Sequence, residues 1–533
     1  MIDRQLAKAI MESVTQIPRR AEQHDQRELG ATFVDIGPLF AGLKRPEHQV
    51  MYGRRGTGKT HALGKLQNHL ADQGVCVCYL DMRTVGSAGG IYSDPWSSLA
   101  ERATPLLVDV VEALHNSLTD YALELLSTDQ DVTALFSALD NLGDAATEVE
   151  VVGSTEVEET RQNSEQTKGS KKLKLSPLRP SLDLELGSTS DKSRSRSARF
   201  KVSGDVRFTV KFGPLAKAMA RVVRAIPGRR IWLLLDEWSA LPIELQPFLA
   251  DLLRRALFPV QGVVVKIAAV ERRSAFCIRG EQRDYLGIEL GADVSQDINL
   301  DDYLVFSQGD SRATEFFGDL FLRHAAAISE DVAEAFPLDA NGRRKFIWAL
   351  FASTSAFEEA IQAAEGVPRD GINIVSLALQ RASSQTGIEI DDIRYAARAW
   401  FLRDKEGAIR SDKMASRALM HIVKFAAERR KRFFLIERGH DSNHEVIQAL
   451  YDARVIHLIN SSVGAGGAYD LFALDYGGYV NLLSFHEAST AWRDEWAENW
   501  VDYDPARSAT VREAILRVSD LREKPQISAD EPL

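Results

Sequence analysis

The octapeptide GRRGTGKT, at Gly53–Thr60, restricts the possible folds of this chain to a small set. A short apolar segment, His48–Tyr52, precedes it, and the following residues show the apolar spacing of a helix. Gly56 and Gly58 allow backbone N–H groups to turn toward an anion at the N-terminus of that helix, where negative charge is favoured. A strand, a glycine-rich turn and a helix in this order predict a phosphate-binding loop.

The same loop predicts which residues would contact a nucleotide. Lys59 would reach the β- and γ-phosphates, and Thr60 would ligate Mg²⁺, so ATP and Mg²⁺ are the expected ligands. The residues expected to bind the nucleotide are Gly53, Arg54, Arg55, Gly56, Thr57, Gly58, Lys59, Thr60 and His61. The alternative is a chance occurrence of the pattern in an ordinary loop.

A second motif, IWLLLDE at Ile231–Glu237, is an apolar strand that ends in two carboxylates. Ending a buried strand in this way is costly unless the charges face a cation or water. Asp236 is therefore expected to hold Mg²⁺ through water, and Glu237 to polarise the attacking water as a general base. The alternative is a strand that simply ends at a solvated acidic turn.

Two more apolar runs, Val75–Asp81 and Val263–Val270, have the character of strands buried in a parallel sheet, and a helical pattern covers about residues 95–126. Strands that alternate with helices predict an α/β fold with a parallel sheet core. We place this core at residues 46–310, after an N-terminal helical linker at residues 1–45.

An insertion at residues 143–212 interrupts the predicted core. Residues 140–160 contain seven acidic residues and no Lys or Arg, whereas residues 161–201 contain eleven basic residues against four acidic ones. This charge pattern favours a solvated, partly disordered segment. The stretches LDLELG, ARFKVSG and VRFTVKFG alternate with a period of two, which predicts β-hairpins within it.

Helical patterns at residues 311–408 predict a helical lid after the core. Residues 409–485 then follow the order of a winged-helix module, with one of its usual helices short or absent. Residues 486–533 are expected to form a last helix and a loose tail, and Trp492, Trp496 and Trp500 would share one face of that helix.

Together these motifs resemble AAA+ ATPases, and among them the origin-recognition initiator type, over roughly residues 30–485. The stretch EGVPRDGINIVSLAL, at Glu365–Leu379, is similar to the second-sensor motif of that group. The resemblance implies that Arg369 reaches the γ-phosphate from the lid. It also implies the phosphate-binding sheet core, the helical lid and the C-terminal winged helix, in that order.

The sequence departs from this family at the first sensor. The family commonly has Asn there, whereas KIAAVERRS places Glu271 at that position. Glu271 could orient water, but a further carboxylate near the γ-phosphate adds repulsion, so slow hydrolysis is expected. Four arginines are candidates for an arginine finger that acts on a neighbouring subunit of a homo-oligomer, with surface ion pairs as the alternative: Arg254, Arg255, Arg272 and Arg273.

Charge and composition restrict the partners. The net charge of -11 argues against bulk coating of nucleic acid, so any DNA contact would be local. We expect it at the basic insertion, residues 161–201, rather than at the helix Asn443–Arg454, which presents Glu445 and Asp452. The three cysteines cannot form a disulfide framework, and no segment is predicted to span a membrane. A cytoplasmic protein is expected.

Two functions remain open at this point. The first is an ATPase acting as a nucleotide-controlled switch in DNA-associated or assembly processes. The second is a signal-transducing NTPase of an anti-phage defence system, which would bind a protein partner through the insertion or the tryptophan helix with little or no hydrolysis.

Overall fold

A computed structural model describes residues 4–19, 26–35, 37–85, 99–128, 130–146, 149–152, 155–157, 200–202, 207–279, 285–301, 311–382, 387–429, 431–439, 441, 444–463, 465–485, 514–519 and 521. The chain forms two compact units. One comprises Met1–Leu43, Tyr52–Lys65 and Ile298–Leu533, and the other comprises Lys44–Met51 and Leu66–Asp297. We call them the loop–lid unit and the sheet unit.

The strands are β1 Gln49–Tyr52, β2 Cys76–Asp81, β3 Val149–Val152, β4 Thr155–Val157, β5 Phe200–Val202, β6 Arg207–Val210, β7 Ile231–Asp236, β8 Val263–Ala269, β9 Cys277–Arg279, β10 Tyr285–Gly287, β11 Ser295–Asn299, β12 Phe433–Glu437, β13 Ile456–Val463 and β14 Tyr469–Leu474. The helices are α1 Arg4–Gln16, α2 Gln26–Thr32, α3 Leu39–Leu43, α4 Lys59–Ala71, α5 Leu99–Ser127, α6 Thr133–Ala146, α7 Phe212–Ala225, α8 Gln246–Leu252, α9 Ser311–Ile328, α10 Glu330–Ala335, α11 Ala340–Leu350, α12 Thr354–Ala364, α13 Pro368–Leu379, α14 Ile390–Trp400, α15 Glu406–Ile409, α16 Lys413–Arg429, α17 Glu445–Asp452 and α18 Tyr476–Phe485.

The sheet unit is built on a five-stranded sheet with the order β11–β1–β8–β7–β2. Strands β2, β7 and β8 run parallel, and the register pairs Asp81 with Asp236. Every residue of β7 and β8 is buried, as continuous apolar runs require in a sheet covered on both faces. The predicted α/β class with a parallel sheet is confirmed, and the four strands predicted from apolar runs form within one residue of their expected ends.

The insertion begins and ends in antiparallel pairs. Strand β3 pairs with β6, and β4 pairs with β5. The period-two alternation of ARFKVSG and VRFTVKFG therefore did predict strands, because alternation is the pattern of β structure. The stretch LDLELG and most of the basic segment lie outside the described residues.

The helices of the loop–lid unit enclose a large apolar core. Most of its members come from α1 and from α9 to α14, and they include Phe317, Phe321, Phe346 and Phe357. Helices α10, α11 and α12 each begin at a residue whose side chain accepts from backbone N–H groups, namely Ser329, Asp339 and Ser353. This is the helical lid predicted from the sequence.

The winged-helix module also belongs to the loop–lid unit. Its antiparallel sheet has the order β12–β14–β13, with α16 before it and α17 between β12 and β13. No further helix lies between β12 and α17 in the described residues, in agreement with the prediction that one usual helix is short or absent. Leu435 of β12 also pairs with Ile515 of the C-terminal segment.

Two predictions for the end of the chain have different outcomes. The helix expected at Asn443–Arg454 forms over Glu445–Asp452. The proposed tryptophan helix, with Trp492, Trp496 and Trp500, lies outside the described residues. None of the described helices is both long and apolar enough to cross a membrane.

Candidate functional site

The glycine-rich turn has the backbone shape that its sequence predicts. Gly56 and Gly58 have φ angles of +89° and +97°, a region that residues other than glycine rarely adopt. The loop follows β1, and α4 begins at Lys59. The N–H groups of the first helical turn thus follow directly on the glycines, as anion binding at a helix N-terminus requires.

The Lys59 side chain lies over the loop. Its Nζ atom donates to the carbonyl oxygens of Gly53 at 2.7 Å and Arg54 at 3.0 Å. The Thr57 hydroxyl donates to the same Arg54 carbonyl at 2.9 Å. The loop is therefore held by short internal hydrogen bonds, and the Lys59 ammonium is already at the turn where a phosphate would bind.

The other predicted loop residues differ in exposure and contacts. Arg55 is exposed, and Thr60 is half-buried in the first turn of α4. His61 Nε2 lies 2.8 Å from the carbonyl oxygen of Leu29 and 3.3 Å from the Thr32 hydroxyl, so its side chain packs against α2.

Arg54 has an unexpected set of partners for a residue in a phosphate-binding loop. Its side chain is 3% exposed. Nε donates to Asp301 Oδ1 at 2.8 Å, Nη2 to the carbonyl of Glu365 at 2.9 Å, and Nη1 to Nδ1 of His457 at 2.5 Å. Burial alone would lower the pKa of Arg54, but Asp301 raises it above its ordinary value, so the guanidinium stays charged. Sequence reasoning missed these contacts because the motif leaves this position free.

Arg369 and the loop are in direct contact. The Arg369 backbone N–H donates to the Gly56 carbonyl at 3.3 Å. A Cβ atom placed on Gly56 would lie 2.9 Å from Cβ of Arg369, so only glycine fits beside it. Pro368 is the first residue of α13, where a missing N–H costs nothing, and Arg369 follows it. The structure thus brings the predicted second sensor to the phosphate-binding loop.

In the sheet unit, Asp236 and Glu237 end strand β7. Asp236 is fully buried, and its two oxygens accept from the Tyr79 hydroxyl at 2.6 Å and the Glu237 N–H at 2.8 Å. Burial and the nearby Asp236 raise the pKa of Tyr79, so the hydroxyl remains a donor. Glu237 has a left-handed backbone, with φ of 53°, and its side chain is 27% exposed with Arg83 Nη1 at 4.0 Å.

The turn after β7 is tied to the turn after β8, where Glu271 lies. Ser239 Oγ accepts from the Val270 N–H at 2.8 Å and lies 2.9 Å from Ser274 Oγ. Glu271 is exposed at the start of its short helical turn. Strand β8, which ends at Ala269 two residues before Glu271, lies between β1 and β7 in the sheet.

Arg254 and Arg255 are two of the four candidate arginine fingers, and both form ion pairs. Arg254 and Arg255 both pair with the buried Asp251, at 2.9 Å and 2.8 Å. Arg254 also lies over the ring of Tyr285. These contacts support the ion-pair alternative for both residues.

The residues predicted to hold a magnesium nucleotide have, each within its own unit, the chemistry that this ligand requires. Hydroxyl and carboxylate oxygens, as on Thr60 and Asp236, are the ligand types that Mg²⁺ prefers. Asp236 is a buried carboxylate whose hydrogen-bond donors are both neutral, and a buried charge of this kind is stabilised by a cation. Lys59 supplies positive charge at the loop itself.

Comparison with known proteins agrees with the motifs. A family model described as ORC-CDC6-like matches residues 18–71. No curated protein sequence matches the chain significantly. The similar solved structures include Cdc6p from Pyrobaculum aerophilum, at 11% identity and a TM-score of 0.30, covering 90% of this chain and 99% of that chain. They also include the Aeropyrum pernix ORC1 protein in complex with DNA, at 13% identity and a TM-score of 0.27, covering 89% and 96%. Over residues 18–71, which carry the phosphate-binding loop, the chain is similar to the ORC-CDC6-like family, and this confirms the resemblance that its motifs show to initiator-type AAA+ ATPases.

Proposed function

We propose that this protein binds ATP with Mg²⁺ at Gly53–Thr60 and acts as a slow ATPase whose nucleotide state controls a DNA-associated or assembly process. The observation that carries the proposal is the contact between Gly56 and Arg369. It joins the loop to the first turn of lid helix α13, so a phosphate in the loop and the lid arginine would meet.

Each residue has a role in this proposal. Lys59 pairs with the β- and γ-phosphates, while Thr60 and Asp236 hold Mg²⁺, which would neutralise charge that develops on the phosphates. Glu237 accepts the proton of the attacking water as general base. Arg369 donates to the terminal phosphate from the lid.

Slow turnover follows from Glu271. A carboxylate at the position of the first sensor orients water less favourably than an amide and repels the γ-phosphate. We therefore expect the protein to bind ATP but to hydrolyse it slowly.

Binding of a fluorescent ATP analogue in the presence of Mg²⁺ tests the proposal. Lys59→Ala removes the loop cation, and we expect affinity to fall by about tenfold or more, as for the loss of a charge-assisted contact. Lys65→Ala is the matched control, because Lys65 lies further along α4 and donates to the Gly30 carbonyl at 3.0 Å. Equal affinity of wild type and Lys59→Ala would reject the site.

A second function, signal transduction in anti-phage defence through a protein partner, is favoured by the charge of the winged-helix module. Helix α17 exposes Glu445 at its start, where DNA phosphates would be repelled. The wing sequence SSVGAGGA contains no Lys or Arg. In this case the partner would bind the insertion or the C-terminal tryptophan segment.

A further inference from the structure

A path of buried polar contacts leaves the phosphate-binding loop at Arg54 and enters the winged-helix module at His457. A guanidinium can only donate, so Nδ1 of His457 must accept from it. Nε2 then carries the proton and donates to Asp475 Oδ2 at 2.9 Å. Burial lowers the pKa of His457, so the imidazole in this bridge is neutral.

The path continues from Asp475 into the helical lid. Asp475 Oδ2 also accepts from Lys405 Nζ at 2.5 Å, and Oδ1 accepts from the N–H groups of Gly477 and Gly478 at the start of α18. Lys405 Nζ lies 2.9 Å from Asp370 Oδ2 as well. Lys405, Asp370 and Asp475 are each at most 2% exposed, so these ion pairs lie away from water.

At Asp370 the path returns to its origin. Asp370 follows Arg369, whose backbone N–H donates to the Gly56 carbonyl. The contacts therefore form a closed circuit from the loop through the winged helix and the lid and back to the loop. We call its five side chains the buried circuit: Arg54, His457, Asp475, Lys405 and Asp370.

We propose that the buried circuit transmits the nucleotide state of the loop to the winged-helix module, an inference that rests on the proposed binding of ATP. Lys59 Nζ donates to the Arg54 carbonyl, and a phosphate would compete for that ammonium. Arg54, whose carbonyl would then lose this contact, also donates to His457 through its side chain. A change in the loop backbone at Arg54 is thus passed directly to β13.

Because the circuit is buried, its contacts resist lengthening when the loop moves. Stretching any one of its contacts would leave a buried polar or charged group with fewer partners in a site that excludes water, which is unfavourable. The module and the lid therefore follow the loop together. The side chains of Arg54 and His457 act as positioning groups in this role, since they contact Asp301, the Glu365 carbonyl and Asp475.

Hydrogen exchange of the full chain, measured by mass spectrometry with and without a non-hydrolysable ATP analogue and Mg²⁺, tests the inference. In wild type we expect the analogue to change exchange in β13 and β14 by about fivefold or more, the lower end of typical coupling between sites. His457→Leu should abolish this change while the analogue still binds. His457→Gln should retain it, because an amide can accept from Arg54 and donate to Asp475.

The control is Arg438→Gln, at an exposed arginine of the same module that contacts Ser462 and Asp470. It should leave the nucleotide response unchanged. If His457→Leu does not fold, His457→Asn makes the same test, because its amide is polar but too short to reach both Arg54 and Asp475.

The outcomes separate this inference from the proposed function. If the analogue does not bind wild type, the proposed function fails, and the inference fails with it. If it binds but leaves β13 and β14 unchanged, the inference alone is wrong. A nucleotide response that persists in His457→Leu or in His457→Asn would likewise overturn it.

Discussion

Removing Lys405 should strongly destabilise the loop–lid unit, because Lys405 is the cation between two buried carboxylates. In Lys405→Met, Asp370 keeps its ion pair with Arg454, but Asp475 is left with His457 and two backbone N–H groups, all neutral. Removing one partner of a buried ion pair costs about 3–5 kcal/mol. This is a large part of the roughly 5–15 kcal/mol that holds a typical domain folded.

The pH dependence of this stability loss tests whether the charge on Asp475 causes it. Burial alone would raise the pKa of Asp475, but Lys405 keeps it below its ordinary value. A lowered carboxyl pKa gives stability that is present at neutral pH and lost as the pH falls through the folded-state pKa. In Lys405→Met the effect of burial dominates and the pKa of Asp475 rises. Protonation on acidification then stabilises the folded variant, so its deficit relative to wild type should narrow as the pH falls.

Native-state hydrogen exchange of amides in β14 and α14, at neutral and mildly acidic pH, would measure this free energy within the unit. The control is Lys424→Met, since Lys424 is 57% exposed and its pair with Glu428 should contribute at most about 0.5 kcal/mol. A loss in Lys405→Met no larger than in the control would refute the reasoning. So would a deficit that stays constant, or grows, on acidification.

Four further predictions concern function and pH. Glu237→Gln should keep ATP binding but slow phosphate release by about 10²-fold or more, and release at the wild-type rate would exclude Glu237 as the general base. Arg369→Ala should weaken ATP about tenfold more than ADP in binding titrations, whereas equal weakening would indicate a structural lid residue. Deleting residues 161–201 should reduce duplex DNA binding at low salt more than replacing the basic residues of 429–432 by Gln, and the reverse order would place the DNA surface on the winged helix. Wild type should lose stability as the pH falls below about 6.5, because the lowered pKa of His457 must be overcome to charge it, by at most about 1.4 kcal/mol per pH unit; His457→Gln should lose this part of the slope in unfolding experiments at several pH values.

The phosphate-binding loop and the main strands could be predicted because their signals are local. Gly56 and Gly58 lie where the motif requires positive φ, and β7 and β8 are continuous apolar runs. The start of α13 at Pro368 is also a local signal, because Pro favours the first position of a helix. The place of Arg369 near the loop was implied only by the resemblance to the second-sensor motif.

Other parts of the site depend on contacts between distant residues and could not be predicted. Arg54 and His457 are 403 positions apart, and Tyr79 and Asp236 are 157 apart. Hydrophobic periodicity and sequence motifs describe residues close together in the chain. They therefore carry no information on which distant polar groups form buried hydrogen bonds. A buried arginine needs partners for its donors, but the sequence alone did not show that Arg54 is buried.

The chemistry of the buried circuit bears on why this loop carries an arginine where its motif permits any residue. Apolar side chains of similar volume would join the loop to the winged helix at least as stably, because burying charges costs desolvation energy. Apolar contacts, however, tolerate sliding, whereas the Arg54 fork meets Asp301, Glu365 and His457 in one geometry only. Ionic contacts of this kind lower the stability of the fold but fix the position of the phosphate-binding loop relative to the winged-helix module. A loss of stability is expected where the fixed position of these two elements serves the function. This supports a role for Arg54 in transmission rather than in packing.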